Sequence, residues 1–223
     1  MNIYLLILLV YYFHMIKNKF CLVGIDMDFD SLISKYKTKF VGFFSKFNSK
    51  KYLGTSKKGY KENAIEWKKI KKKFNPDVFI VVDEGVEREK LANKIFKNNV
   101  KNLIFKDAEI DTEVRKKIEK KRGILVQRKS MISSNVKVDD GVKIHIGAQI
   151  HHDVSLGKYS TIAPSSVILG SVKIGKYSFI GANSTIKQNV KIGNKSVIGA
   201  GSVVIRNVKD NEIVAGNPAK KIK

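Results

Sequence analysis

With 223 residues, 43% of them hydrophobic and 28% charged, the chain has enough apolar content for one or two modest cores and does not read as disordered. Its one cysteine, Cys21, excludes an intramolecular disulfide and, lying in the apolar run KFCLVGI, reads as a buried structural residue in a reducing, cytoplasmic setting. The formal charge of +23 comes from lysines scattered along the whole chain without interleaved aromatics, which argues against nucleic acid and for attraction of an anionic small molecule.

Residues 1–15 form an apolar N-terminal extension. Its run NIYLLILLVYYFHM is too short for a ~30 Å hydrocarbon core and lacks both a basic segment before it and a small-residue cleavage site after it. An over-extended reading frame with a natural start near Met15 is the first expectation, and a short membrane-surface anchor the second. Over residues 16–130 the pattern alternates, with strands expected near 19–25, 39–44, 77–83, 100–106 and 123–127 and helices near 28–37, 60–74, 86–98 and 111–121. That order implies a parallel sheet in a Rossmann-like α/β domain. Apolar spacing carries the helices, as at Ala64, Trp67, Ile70 and Phe74 and at Ile110, Val114 and Ile118, with Asp28 or Asp30 as a cap. A first strand ending at Gly24 is where a mononucleotide phosphate would sit, making Gly24 and Asp26 the substrate-binding candidates. The loop GIDMDFDS holds three aspartates, however, and acidic side chains repel phosphate, so a plain strand-to-helix turn is the competing reading.

Residues 131–223 follow another rule. From Ile132 to Val204 every sixth residue is aliphatic, through thirteen hexads without exception. Four residues after each stands a small or branched residue whose identity repeats every eighteen: Val136, Val154, Val172, Val190 and Val208 in one column, Ser160, Ser178 and Ser196 in a second, Ser166, Ser184 and Ser202 in a third. Three hexads therefore make one turn of a triangular prism, with both residues pointing inward and a corner between them. Neither an amphipathic helix nor a two-sided sheet produces this double period, so a parallel β-helix is expected, its core supplied by stacked coils. Counting in eighteens stacks the corner His152-Asp153 on Gly170-Ser171, Gln188-Asn189 and Arg206-Asn207, and Gly170 leaves a slot beside the histidine. Val167, Leu169, Val203 and Ile205 face outward together, a patch suited to subunit contact.

The hexads, the run IGAGSVV from Ile198 and the ending VAGNPAKKI from Val214 resemble the hexapeptide-repeat acyltransferases. An α/β domain ahead of the β-helix makes the chain similar to the sialic-acid O-acetyltransferase type, which includes the UDP-4-amino-sugar N-acetyltransferases. The resemblance implies a left-handed β-helix, a homotrimer, and acetyl transfer from acetyl-CoA to an amine or hydroxyl of a sugar or nucleotide sugar in glycan or glycoprotein sugar biosynthesis. It also implies His152 as catalytic base with Asp153 beside it, and CoA along Thr161, Gly170, Ala182 and Ala200. Three places depart from the family pattern: Thr161 stands where histidine is common, GIDMDFDS replaces a glycine-rich loop, and Ser45-Lys46 replaces an acidic pair. A base titrating near neutrality is what removal of a proton from an attacking amine or hydroxyl needs. Lys220 and Lys221 beside Pro218 would meet CoA phosphates or simply form a solvated basic end. His145 and His151 fall on different sides and no histidine follows His152, so one subunit does not assemble a three-histidine metal site. The reading from another class is a non-catalytic β-helix scaffold or ligand-sensing trimer with a degenerate nucleotide domain.

Overall fold

A computed structural model describes residues 20–23, 40–45, 52–55, 72, 77–80, 85–105 and 107–222. The chain divides into two units, Met1–Val82 with Lys90–Lys101, and Asp83–Glu89 with Asn102–Lys223. The apolar extension, the helix expected near 28–37, Gly24, Asp26 and Lys46 lie outside the described residues, as does the helix near 60–74 apart from Lys72.

In the first unit, β1 (Phe20–Val23), β2 (Phe40–Ser45), β3 (Tyr52–Thr55) and β4 (Asp77–Ile80) form a sheet in the order β3-β2-β1-β4. Every pair in it is parallel, as the alternating pattern of the sequence requires. The strand β3 was not among those expected from the sequence. The segment 86–98, expected to be helical, is helical from Gly85 through Asn99 in three successive forms, Gly85–Lys90, Leu91–Phe96 and Lys97–Asn99.

The second unit is a parallel β-helix with three faces. Lys143–Ile144, Thr161–Ile162, Phe179–Ile180 and Val197–Ile198 stack on the first, and Gln149–Ile150, Val167–Ile168, Thr185–Ile186 and Val203–Val204 on the second. The third carries Lys137–Val138, Ser155–Leu156, Lys173–Ile174 and Lys191–Ile192. The register advances by eighteen residues per coil, as in Gln149 opposite Val167 and Val167 opposite Thr185. None of the thirteen aliphatic hexad residues is more than 6% exposed, and the valine and serine columns are buried with them. Removing each isoleucine from water contributes about 1.5–3 kcal/mol, so the stacked column is the main source of the unit's stability.

The stack begins before residue 131. Leu103–Ile104 and Leu125–Val126, two of the strands expected upstream, join the first face, and Glu109–Ile110 joins the second beneath Met131–Ile132. In place of a third-face strand, this first turn carries the helix Thr112–Glu119. The Asp111 carboxylate caps it, accepting from the backbone N–H of Glu113 at 3.0 Å and of Val114 at 3.1 Å. Val114 and Ile118, each 1% exposed, close the end of the core. At the other end Ile213–Gly216 pairs in parallel with Val197–Ile198, and Ala219–Lys221 folds back on it antiparallel.

Candidate active site

Each coil turns from the second face to the third through two residues, and in one coil these are His152 and Asp153. Asp153 holds φ at +61°, a left-handed conformation that aspartate and asparagine tolerate better than most residues. This backbone turn, anchored by the buried Ile150 and Val154 on either side, aims both side chains outward; they are 60% and 45% exposed. The His152 Nδ1 lies 2.8 Å from Asp153 Oδ2. Because an ionised carboxylate only accepts, Nδ1 carries the proton of the neutral ring and Nε2 is left with a free lone pair.

The hydrogen bond from His152, and after it one from the Asn135 side chain, holds the Asp153 carboxyl below its ordinary range. Asn135 Nδ2 donates to Asp153 Oδ1 at 2.5 Å from the corresponding corner one coil earlier. Asn135 was not among the candidates expected from the sequence, although counting eighteen back from Asp153 reaches it.

One coil later comes Gly170. A methyl group at this position would lie 2.7 Å from His152 Cε1 and 2.8 Å from Nε2, closer than carbon packs against any ring. The glycine therefore makes room for the imidazole itself, and the slot expected beside the histidine is filled by its ring. Ser171 N–H donates to the His152 carbonyl at 3.0 Å, which fixes the stacking of the two corners.

The other cofactor candidates stand elsewhere. Ala182 and Ala200 occupy successive corners between the first and second faces, Ala182 half-buried and Ala200 exposed, and the Gly201 N–H donates to the Ala182 carbonyl at 2.8 Å. The second face, with Val167, Leu169, Val203 and Ile205 half-buried or exposed, separates this corner from that of His152. Thr161 is not brought to His152. It sits on the first face, 2% exposed, and its hydroxyl accepts from Arg88 Nη1 at 3.0 Å. Arg88 is itself 2% exposed and also donates to the carbonyls of Tyr159, Ser160 and Gly141 at 2.7, 3.1 and 3.2 Å. The residues Gly85–Glu89 are thereby fastened to the β-helix, with Glu89 Oε2 accepting from Tyr177 Oη at 2.6 Å. That acceptor and burial raise the Tyr177 phenol to about 12. Nothing in the sequence marks Arg88, whose partners lie 53 to 73 residues away.

Among the described residues no group of three or more histidine, cysteine, aspartate or glutamate side chains is placed to hold a metal ion. Nor is any described helix long and apolar enough to cross a membrane. The arrangement offers a solvent-facing imidazole with a free Nε2, a carboxylate to support its protonated form, and open surface beside it, which suits proton removal from an incoming nucleophile.

Residues 132–170 and 171–206 match the family model of the bacterial transferase hexapeptide (six repeats). No curated protein matches the chain by sequence. Among solved structures, PerB from Caulobacter crescentus, in complex with CoA and GDP-perosamine, is 20% identical with a TM-score of 0.75, over 93% of this chain and 98% of that one. The acetyltransferase domain of PglB from Neisseria gonorrhoeae, in complex with acetyl coenzyme A, is 20% identical with a TM-score of 0.71, over 92% of this chain and all 100% of the other. WeeI from Acinetobacter baumannii is 22% identical with a TM-score of 0.68 and the same two coverages. At these identities the likeness is one of fold, and it agrees with the β-helix formed by residues 132–206, the part of the chain that the hexapeptide family model matches.

Proposed function

We propose that the protein transfers an acetyl group from acetyl-CoA to an amine or hydroxyl of a sugar or nucleotide sugar in glycan or glycoprotein sugar biosynthesis. The observation that carries this reading is the His152–Asp153 pair on an exposed corner of transferase-type hexapeptide repeats, its ring accommodated by Gly170. In the proposed reaction His152 Nε2 takes the proton of the acceptor as its nitrogen or oxygen attacks the thioester carbonyl. Asp153 stabilises the resulting imidazolium. The tetrahedral intermediate then collapses with cleavage of the C–S bond, and the proton held by His152 is available to the departing thiolate.

Several finer points belong to the same proposal. The β-helix is left-handed, the donor lies along the second face between Gly170 and the corner of Ala182 and Ala200, and three copies assemble with that face between subunits. The α/β domain is Rossmann-like, with Gly24 and Asp26 as its candidates for contact with the acceptor and a plain strand-to-helix turn as the alternative. The relatives of the same fold that bind CoA, acetyl coenzyme A and a nucleotide sugar support the donor and acceptor classes by analogy.

The test is release of free thiol from acetyl-CoA, measured with UDP- and GDP-linked 4-amino sugars, free sialic acid and small hydroxy amino acids as acceptors. Release that depends on a sugar acceptor, with an acetylated sugar identified by mass, is the expected outcome. Absence of acceptor-dependent release across the panel, while acetyl-CoA still binds, contradicts the assignment.

A further inference from the structure

We propose that Asn135, one coil below the catalytic corner, is a positioning residue that holds the Asp153 carboxylate and through it the tautomer and orientation of His152. This inference rests on the acetyl-transfer reading for its kinetic consequence, though not for its structural one.

The geometry forms a chain of three side chains. Asn135 Nδ2 lies 2.5 Å from Asp153 Oδ1, and the other oxygen of that carboxylate lies 2.8 Å from His152 Nδ1. The direction of the first bond follows from chemistry: a carboxylate has nothing to donate, so Asn135 must present its amide N–H. Each carboxylate oxygen is thus committed to a different partner, which fixes the rotation of the Asp153 side chain about its own bond. Without Asn135, a carboxylate this exposed is free to turn away into water and the imidazole loses its orienting acceptor. The same bond draws down the Asp153 carboxyl, so the group facing His152 remains an anion.

The surroundings leave this work to Asn135. The coil above offers Gly170, which has no side chain, and Ser171; the coil below offers Ser134 and Asn135. None of these four is charged. Lys137 and Lys173 stand on the third-face strands that follow those corners, and His151 is the adjacent titrating group on the strand side. Among the described residues Asp153 is the anion bonded to the ring, and its placement decides how the ring is held.

Asparagine also suits position 135 for a plainer reason, because φ there is +56° and asparagine tolerates the left-handed region. The two roles separate by substitution. Asn135→Gly keeps the turn and deletes the amide; Asn135→Asp keeps the turn and replaces the donor with a second carboxylate.

The experiment compares the full-length wild type with both variants by thermal melting, by steady-state kinetics at varied acetyl-CoA, and by NMR titration of the His152 ring. Asn135→Gly should melt as wild type, keep its KM for acetyl-CoA, and lose on the order of tenfold in kcat, within the span between full loss of a general base and no effect. In Asn135→Gly the Asp153 carboxylate, which favours the imidazolium, is no longer held against the ring. The midpoint of His152 should therefore fall, and the acidic limb of kcat/KM should move with it to lower pH. Asn135→Asp keeps the turn but sets a second carboxylate against Asp153, so it too should lose kcat. A wild-type kcat together with an unshifted His152 midpoint in Asn135→Gly would overturn the proposal. Should Asn135→Gly melt early, kcat in Asn135→Asp decides. Should the wild type transfer no acetyl group, a lowered midpoint in Asn135→Gly still supports the positioning role and the failure falls on the reaction.

Discussion

At the scale of single residues, the site depends on one position where a side chain is missing. Gly170 is not in the left-handed region, so alanine is compatible with its backbone, and the cost of a methyl group falls on the His152 ring. That ring is exposed and free to move, so displacement rather than unfolding is the consequence. Gly170→Ala is predicted to retain the wild-type melting temperature while kcat falls on the order of tenfold or more, since the displaced imidazole loses its bond to Asp153. A wild-type kcat in this variant would show that the contact between Gly170 and the ring is incidental. His152 is marked out by its contact with the Asp153 carboxylate and by the glycine that its ring meets in the next coil. Both features were legible in the sequence as the corner pair and its eighteen-residue successor. Asn135 stands eighteen residues before Asp153 in the same repeat, but an asparagine at a left-handed corner is explained by its backbone alone, so the sequence carries no separate mark of a contact with the carboxylate.

At the scale of the element, the three faces of the β-helix differ in what they leave exposed. The first is covered in part by Gly85–Glu89 through Arg88, and the third is lined by Lys137, Lys173 and Lys191. The second presents Val167, Leu169 and Val203, each half-buried, and Ile205 at 42% exposure. Four apolar side chains on one solvent-facing side of the prism are costly to leave in water and fit contact between copies of the chain. Replacing Leu169 and Ile205 with Asp is predicted to convert the proposed trimer to monomers in sedimentation, because two charges per face would be desolvated without partners. An unchanged sedimentation coefficient would place the contact elsewhere. The hexads were legible because each position in the repeat has a single role, so the period survives without knowledge of distant contacts. Arg88 and Thr161 obey no such period. Their pairing joins a helix to a strand 73 residues later, and only the folded chain reveals that Thr161 is buried beneath a guanidinium.

At the scale of the whole molecule, the expected change of rule near residue 130 and the start of the β-helix do not coincide. The strands at 103–104 and 125–126 were read as the last of an alternating α/β pattern because a two-residue strand and the helix Thr112–Glu119 look locally like one more strand-helix unit. Their register with Lys143–Ile144 instead makes them the first coils, capped by a helix in place of a strand. Parallel pairing of β1 to β4 matches the alternating pattern upstream. The proposed activity requires that this β-helix present a base to an acetyl acceptor. The most direct measurement is kcat for acetyl transfer by His152→Ala against wild type with the same sugar acceptor, alongside the acetyl-CoA dissociation constant of each and the pH dependence of the wild type. The expected result is a fall of about 10²–10⁴ in kcat, an unchanged dissociation constant, and a wild-type kcat/KM that rises with pH as the imidazole loses its proton. Equal kcat in the two proteins would contradict a role for His152 as the base.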